Sequence, residues 1–123
     1  MLRIRNEIDH QESWSSERHQ QFLKACKAYI GDLKKDGSLV SAQPMVRQGT
    51  MVSRVNGQWK EGPFHEGKEV IVGYYHVLAQ DVSDAVAIAQ RNPDFAFSTS
   101  ARIEVRPIKM KEETTGFVYP GED

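Results

Sequence analysis

Residues 70–79, VIVGYYHVLA, are the most hydrophobic stretch of the chain. Val70, Val72, Tyr74, His76 and Leu78 alternate with Ile71, Gly73, Tyr75, Val77 and Ala79, so the strand they imply is largely apolar on both faces. Such a strand must be covered twice. In a chain of 123 residues helices can cover one face of a sheet, which leaves the second for another sheet, most economically that of a second copy. A homodimer is the expected state.

The length fits one domain with a core large enough to need no staple. Cys26 is the single cysteine and has no partner within the chain, and no Cys and His cluster carries zinc-ligand spacing, so neither metal nor cofactor is expected. A reducing, cytoplasmic setting is the simplest reading. The first residues are charged too early for a signal peptide, and the stretch at Val70 is too short to span a bilayer as a helix, so no membrane association is expected. Sixteen basic and seventeen acidic residues nearly cancel, which leaves no global field to gather nucleic acid or anionic lipid. The expected partners are a small molecule and a second copy of the chain.

In chain order, Leu2 and Ile4 alternate with Arg3 and Arg5 as a short first strand, followed by a polar connector over residues 9–13 that includes His10, for which no partner is evident. Ser15 or Ser16 can cap a helix that runs to about Lys35, with Phe22, Leu23, Cys26, Tyr29, Ile30 and Leu33 as one apolar stripe and Gly37 as the left-handed residue beyond. Residues 39–44 form a second strand. Asn56 and Gly57 turn a hairpin between residues 50–55 and 58–60, and Trp59 would lie at a pocket rim or cover it. His65 falls in a glycine-punctuated loop before the main strand. Asp81 caps a second amphipathic helix that Asn92 and Pro93 stop, and residues 101–106 alternate as a last strand with one wet face. Without the hairpin the order is βαββαβ, the ferredoxin-like pattern of an α+β protein. The first strand leaves little length for pairing on both sides. Either the natural start lies upstream, or the tail around residues 117–119 packs across a subunit to compensate.

At Glu61, Gly62, Pro63, Phe64 the chain resembles the YCII-related proteins, in particular the subgroup named for an Asp-Gly-Pro-Phe motif, with Glu61 in place of the aspartate. The likeness continues through Lys68 and Glu69, Gly73 to Tyr75, Asp84 and Ala85, Glu104 to Ile108, and the second strand at residues 39–45. It covers residues 1–109 and leaves 110–123 as a C-terminal tail, of which the charge run at residues 109–113 reads as solvated. The resemblance implies a ferredoxin-like subunit paired into a dimeric α+β barrel. It also implies a catalytic histidine on the first helix paired with an aspartate, and for some relatives action on chlorinated aromatic compounds. His19 matches that histidine by position; no aspartate can be assigned to it from the sequence.

Helical steps from His19 reach Leu23, Cys26, Ile30 and Leu33, so it stands at the first-turn end of the apolar stripe, partly buried and able to serve as a base. A histidine there equally well satisfies a backbone group at the helix start. His76 shares its strand face with Tyr74 and Val72 in the alternation, so imidazole and phenol would enter one cavity, although such pairs often only bond each other. Tyr74 and His76, with Glu61 and Phe64 of the motif, are the substrate-binding candidates, and Cys26 is an inert thiol facing the core. No phosphate-cradling glycine loop and no RNA-binding aromatic signature is present in the sequence. Two functions follow: a small cofactor-independent lyase, isomerase or hydrolase acting on a cyclic or aromatic compound by histidine acid–base chemistry, or a non-catalytic small-molecule-binding or regulatory dimer using the same cavity.

Overall fold

A computed structural model describes residues 1–64 and 67–119, so the expectation for His65 lies outside the described residues. The order is β1 (Leu2–Glu7), α1 (Ser16–Lys35), β2 (Leu39–Pro44), β3 (Thr50–Val55), β4 (Gln58–Pro63), β5 (Glu69–Val77), α2 (Val82–Gln90), α3 (Asp94–Phe97) and β6 (Arg102–Val105). The main sheet runs β2-β5-β1-β6, every pairing antiparallel, and β3 with β4 forms a separate ribbon. This is the ferredoxin-like α+β arrangement with a hairpin inserted before β5.

The helix ends form where the residues dictate. Ser15 Oγ accepts the Arg18 backbone N–H at 3.1 Å, Glu17 lies in the positive first turn, and Lys34 and Lys35 occupy the last. Gly37, at φ 72°, lets the Ser38 N–H reach back to the Leu33 carbonyl at 2.9 Å. On α2, Asp81 accepts the Asp84 N–H at 2.8 Å while the Asp84 carboxylate accepts the Gln80 N–H at 3.1 Å. The hairpin turn has Asn56 at φ 50° and Gly57 at φ 78°, both positive as a type I′ turn requires. The short helix α3 is not expected from the sequence. Pro93 ends α2 but also pre-sets the backbone for a new turn, and the Asn92 side chain accepts the Asp94 N–H at 2.8 Å.

The core lies between the helices and one sheet face, around Leu2, Ile4, Tyr29, Leu33, Val70, Val72, Tyr75, Val77 and Ile88. A bulge in β5 corrects the simple alternation. Ile4 pairs with Gly73 but Arg5 with Ile71, so Val72 is the extra residue and the facing of β5 reverses there. Val70, Val72, Tyr75 and Val77 are buried, whereas Ile71, Tyr74 and His76 are half-buried. Val72 therefore does not share a face with Tyr74 and His76. Gly73 is needed at this point: a Cβ there would come 3.1 Å from the Gln43 carbonyl oxygen and 3.4 Å from Pro44 Cα on β2.

The sheet face turned away from the helices is less apolar than β5 alone suggests. Its neighbours contribute an ion-pair lattice in which Arg5 meets Glu104 at 3.0 Å and Glu69 at 3.8 Å, Arg102 meets Glu69, and Arg106 meets Glu104 at 3.5 Å. The expected shortage of pairing on β1 is not found either. Leu2 is in register with Tyr75 on one side and Val105 on the other, and the Met1 amino group donates to the Arg106 carbonyl at 2.6 Å. The charge run at residues 109–113 is exposed apart from the half-buried Glu112, as a solvated run should be, but residues 110–119 are not simply extended. They fold back on themselves through a Lys111–Val118 bridge, a 2.8 Å bond from the Tyr119 N–H to the Met110 carbonyl, and a 2.6 Å bond from the Tyr119 hydroxyl to Glu112. Among the described residues no helix is long and apolar enough to cross a membrane.

Candidate functional site

The apolar stripe of α1 is wider than the core needs. Phe22, Tyr29 and Leu33 are buried, but Cys26 and Ile30 are half-buried and Leu23 is 52 % exposed. The surplus side of the stripe forms one wall of a cavity of about 450 Å³ between α1 and the β2–β5 edge of the sheet. Ala42 to Pro44 on β2 and Val72 and Gly73 at the bulge form the opposite wall, so the close approach that Gly73 permits also shapes the cavity. A volume of this size suits a small ring compound.

Polar groups enter from three directions. His19 comes from the first turn of α1, Arg47 from the loop after β2, and Asp94 from the start of α3; His10 and Gln11 close one side. Trp14 organises the histidines, its ring centroid lying 5.8 Å from that of His10 and 6.3 Å from that of His19. Phe22 and Phe97 pack against Trp14 at 5.2 and 5.9 Å, and the Arg18 guanidinium covers it at 5.2 Å. The polar connector of the sequence is thus a structured rim.

Asp94 is the residue that sequence reasoning missed. It is 7 % exposed, and burial pushes its carboxyl up to about 6 against the opposing pull of the Arg47 charge. Arg47 is held in place by a 2.9 Å bond from its guanidinium to the Met45 carbonyl, and its own ionisation is lowered by burial. No ion pair joins the two among the described residues. His10 donates from Nδ1 to the Glu7 carbonyl at 2.9 Å, while its buried Nε2 has no protein partner among them. Burial lowers its pKa, and the Arg47 charge adds to that effect. Burial and the Asp94 charge push the Cys26 thiol up to about 12, and burial also pushes up the Tyr75 phenol.

His19 does line the cavity, but in the first helical turn it is exposed rather than partly buried, its ring tilted beside that of Trp14. Tyr74 borders the cavity where β5 passes the bulge. His76 does not. It lies at the far end of β5, in a separate recess with Leu78, Val82 and Met110. Glu61 is exposed on β4, and Phe64 is half-buried against the core, its ring 3.3 Å from the Cβ position of Gly49. Trp59 is 72 % exposed under the Arg54 guanidinium and forms no part of the rim. Among the described residues no group of three or more His, Cys, Asp or Glu side chains is arranged to hold a metal ion.

Comparison with curated proteins finds none that matches. Comparison with family models does: the model of the YCII-related domain matches residues 1–109, which takes in every element from β1 to β6 and all of the cavity. The chain belongs to the YCII-related family.

Proposed function

We propose that the protein is a small acid–base enzyme, a lyase, isomerase or hydrolase, acting on a compact cyclic or aromatic compound held in the cavity between α1 and the sheet. The observation that carries this reading is the convergence of the His19 imidazole and the Asp94 carboxyl, which burial holds near 6, on one largely apolar space. His19, open to solvent, serves as the base. Asp94, retained partly in its protonated form near neutrality, serves as the proton donor. Cys26 is too hard to ionise to act as a nucleophile.

The same reading includes a homodimer. Its support is the half-buried Ile71, Tyr74 and His76 on the sheet face that neither helix covers.

The test begins with a thermal-shift screen of ring metabolites to find a ligand, followed by rate measurements. His19→Asn and Asp94→Asn each lower turnover by about 100-fold or more while the fold is kept. The wild-type rate falls as pH rises through about 6, the Asp94 limb, and that limb is absent from Asp94→Asn. Equal rates and equal pH profiles in all three proteins would remove His19 and Asp94 from the chemistry, whereas a ligand that binds in the cavity and is never turned over would favour the second reading, a binding or regulatory dimer. One feature favours that alternative now: no hydrogen bond joins His19 to Asp94 among the described residues.

A further inference from the structure

We propose that the Tyr75 hydroxyl seats the ligand, donating a hydrogen bond to the carbonyl oxygen of an uncharged ring ketone whose apolar body fills the cavity between α1 and the sheet. The inference rests on that cavity being the substrate site and adds to it a residue and a chemical class.

Two buried phenols meet behind the cavity, and only one of them is satisfied by the protein. The Tyr29 and Tyr75 rings pack edge to face with their centroids 5.3 Å apart. The Tyr29 hydroxyl donates to the Ile88 carbonyl at 2.7 Å, and Tyr29 does not border the cavity. Tyr75 does border it, and no hydrogen bond of good geometry reaches its hydroxyl among the described residues. Asn92 approaches both phenols closely enough to ease their ionisation, yet its buried Nδ2 is left without a partner. The Tyr75 hydroxyl is not sealed in as that Nδ2 is, although the residue as a whole is only 8 % exposed. A buried tyrosine hydroxyl usually finds a partner, so one left open at a cavity wall is matched by a group that arrives.

The neighbours of the hydroxyl show which end of Tyr75 meets the cavity. Cys26 from α1 and Asp94 from α3 both act electrostatically on the phenol, and both line the cavity, so the hydroxyl end lies toward it. Burial and those two groups hold the phenol in its protonated form, which makes it a standing donor. Asp94, once ionised, opposes a second negative charge beside the phenol, and the Leu23, Ile30 and Val72 side chains favour an uncharged, apolar body. A ketone oxygen meets these terms, since it accepts hydrogen bonds and carries neither charge nor proton.

Calorimetric titration of the full chain with indanone, tetralone and the parent hydrocarbon indane tests the affinity, and the infrared carbonyl band of the bound ketone tests the contact itself. At least one of the ketones binds, with its band at lower frequency than in a hydrocarbon solvent, the mark of an accepted hydrogen bond. Tyr75→Phe, which keeps the ring against Tyr29, weakens that ketone by about 5-fold or more, leaves indane unchanged and returns the band toward its hydrocarbon position. Tyr29→Phe, which removes a hydroxyl already bonded to Ile88, leaves the band where it was. Near-ultraviolet circular dichroism matching wild type confirms that each variant is folded. A second measurement needs no variant: an intermolecular nuclear Overhauser contact joins the Tyr75 ring to the bound ketone. The proposal is overturned if neither ketone binds at millimolar concentration, if the wild-type band sits at its hydrocarbon position, if folded Tyr75→Phe changes neither band nor affinity, or if the Overhauser contact is missing. These readouts stand apart from catalysis. A ketone held through Tyr75 and never turned over would sink the enzyme reading alone, whereas a substrate that Tyr75→Phe turns over at the wild-type rate would sink this inference and leave His19 and Asp94 in their roles.

Discussion

A carboxyl buried to 7 % exposure beside an arginine it does not pair with has a stability consequence independent of any substrate. Because Asp94 is harder to ionise folded than unfolded, the native state holds its proton more firmly. The stabilisation it contributes is complete below the unfolded carboxyl value near 3.8 and is lost as pH rises through about 6. A shift of this size corresponds to about 3 kcal/mol between the two limits. Urea midpoints measured between pH 4 and pH 7, values chosen to bracket that shift, should fall with rising pH in wild type and show a weaker slope in Asp94→Asn. A slope unchanged by the substitution would mean the carboxyl is better solvated than its surroundings imply. Neither Asp94 nor Arg47 is legible as a site residue in the sequence. Asp94 directly follows Pro93 and Arg47 lies in the loop after the strand-ending Pro44, where an Asp or Arg reads as turn chemistry, and only folding brings both to the cavity that the first turn of α1 borders. His19 was legible because its partners on the cavity wall, Leu23, Cys26 and Ile30, follow it at helical spacing.

Among the elements, α1, α2 and the Asn56–Gly57 turn could be read almost to the residue because caps, charges and turn residues are local signals, whereas β4 runs past the expected residues 58–60 to Pro63, since its pairing with Thr50 and Met51 on β3 carries the ladder through Gly62 and Pro63. The bulge in β5 could not, since alternation looks the same on either side of Val72 and only the register against β1 reveals the extra residue. Gly73 is its one trace in the sequence. Gly73→Ala places a methyl 3.1 Å from the Gln43 carbonyl oxygen, against backbone that cannot turn aside as a side chain can, and should cost about 1–3 kcal/mol. It should also widen the gap between β2 and β5 and so weaken ligand binding. Thermal unfolding with and without ligand separates the effects; a variant as stable as wild type would show that β2 has room to retreat.

The whole molecule is an antiparallel sheet with helices on one side and an ion-pair lattice across part of the other. The dimer proposed above would bring the half-buried Ile71, Tyr74 and His76 of two copies together, and exposed pairs such as Arg102–Glu69 would set register more than affinity. Sedimentation at micromolar concentration should find a dimer; a stable monomer would sink that proposal. The motive, a two-sided apolar strand, was legible in the sequence, but the Arg and Glu side chains that border it belong to β1, β6 and the start of β5, so the lattice emerges only from strand order.

The β3–β4 ribbon adds a last consequence. Every residue of β3 is exposed, and β4 is exposed apart from Gly62. A two-stranded ribbon without a packed face is marginal in water. Its amides should therefore trade hydrogen for deuterium long before those of β1 and β5, whose release awaits global unfolding. Two well-separated exchange regimes would report a ribbon standing free of the body. Slow exchange at Val52 and Val55 would instead reveal that another surface shelters it, and its dependence on protein concentration would say whether that surface belongs to a second copy.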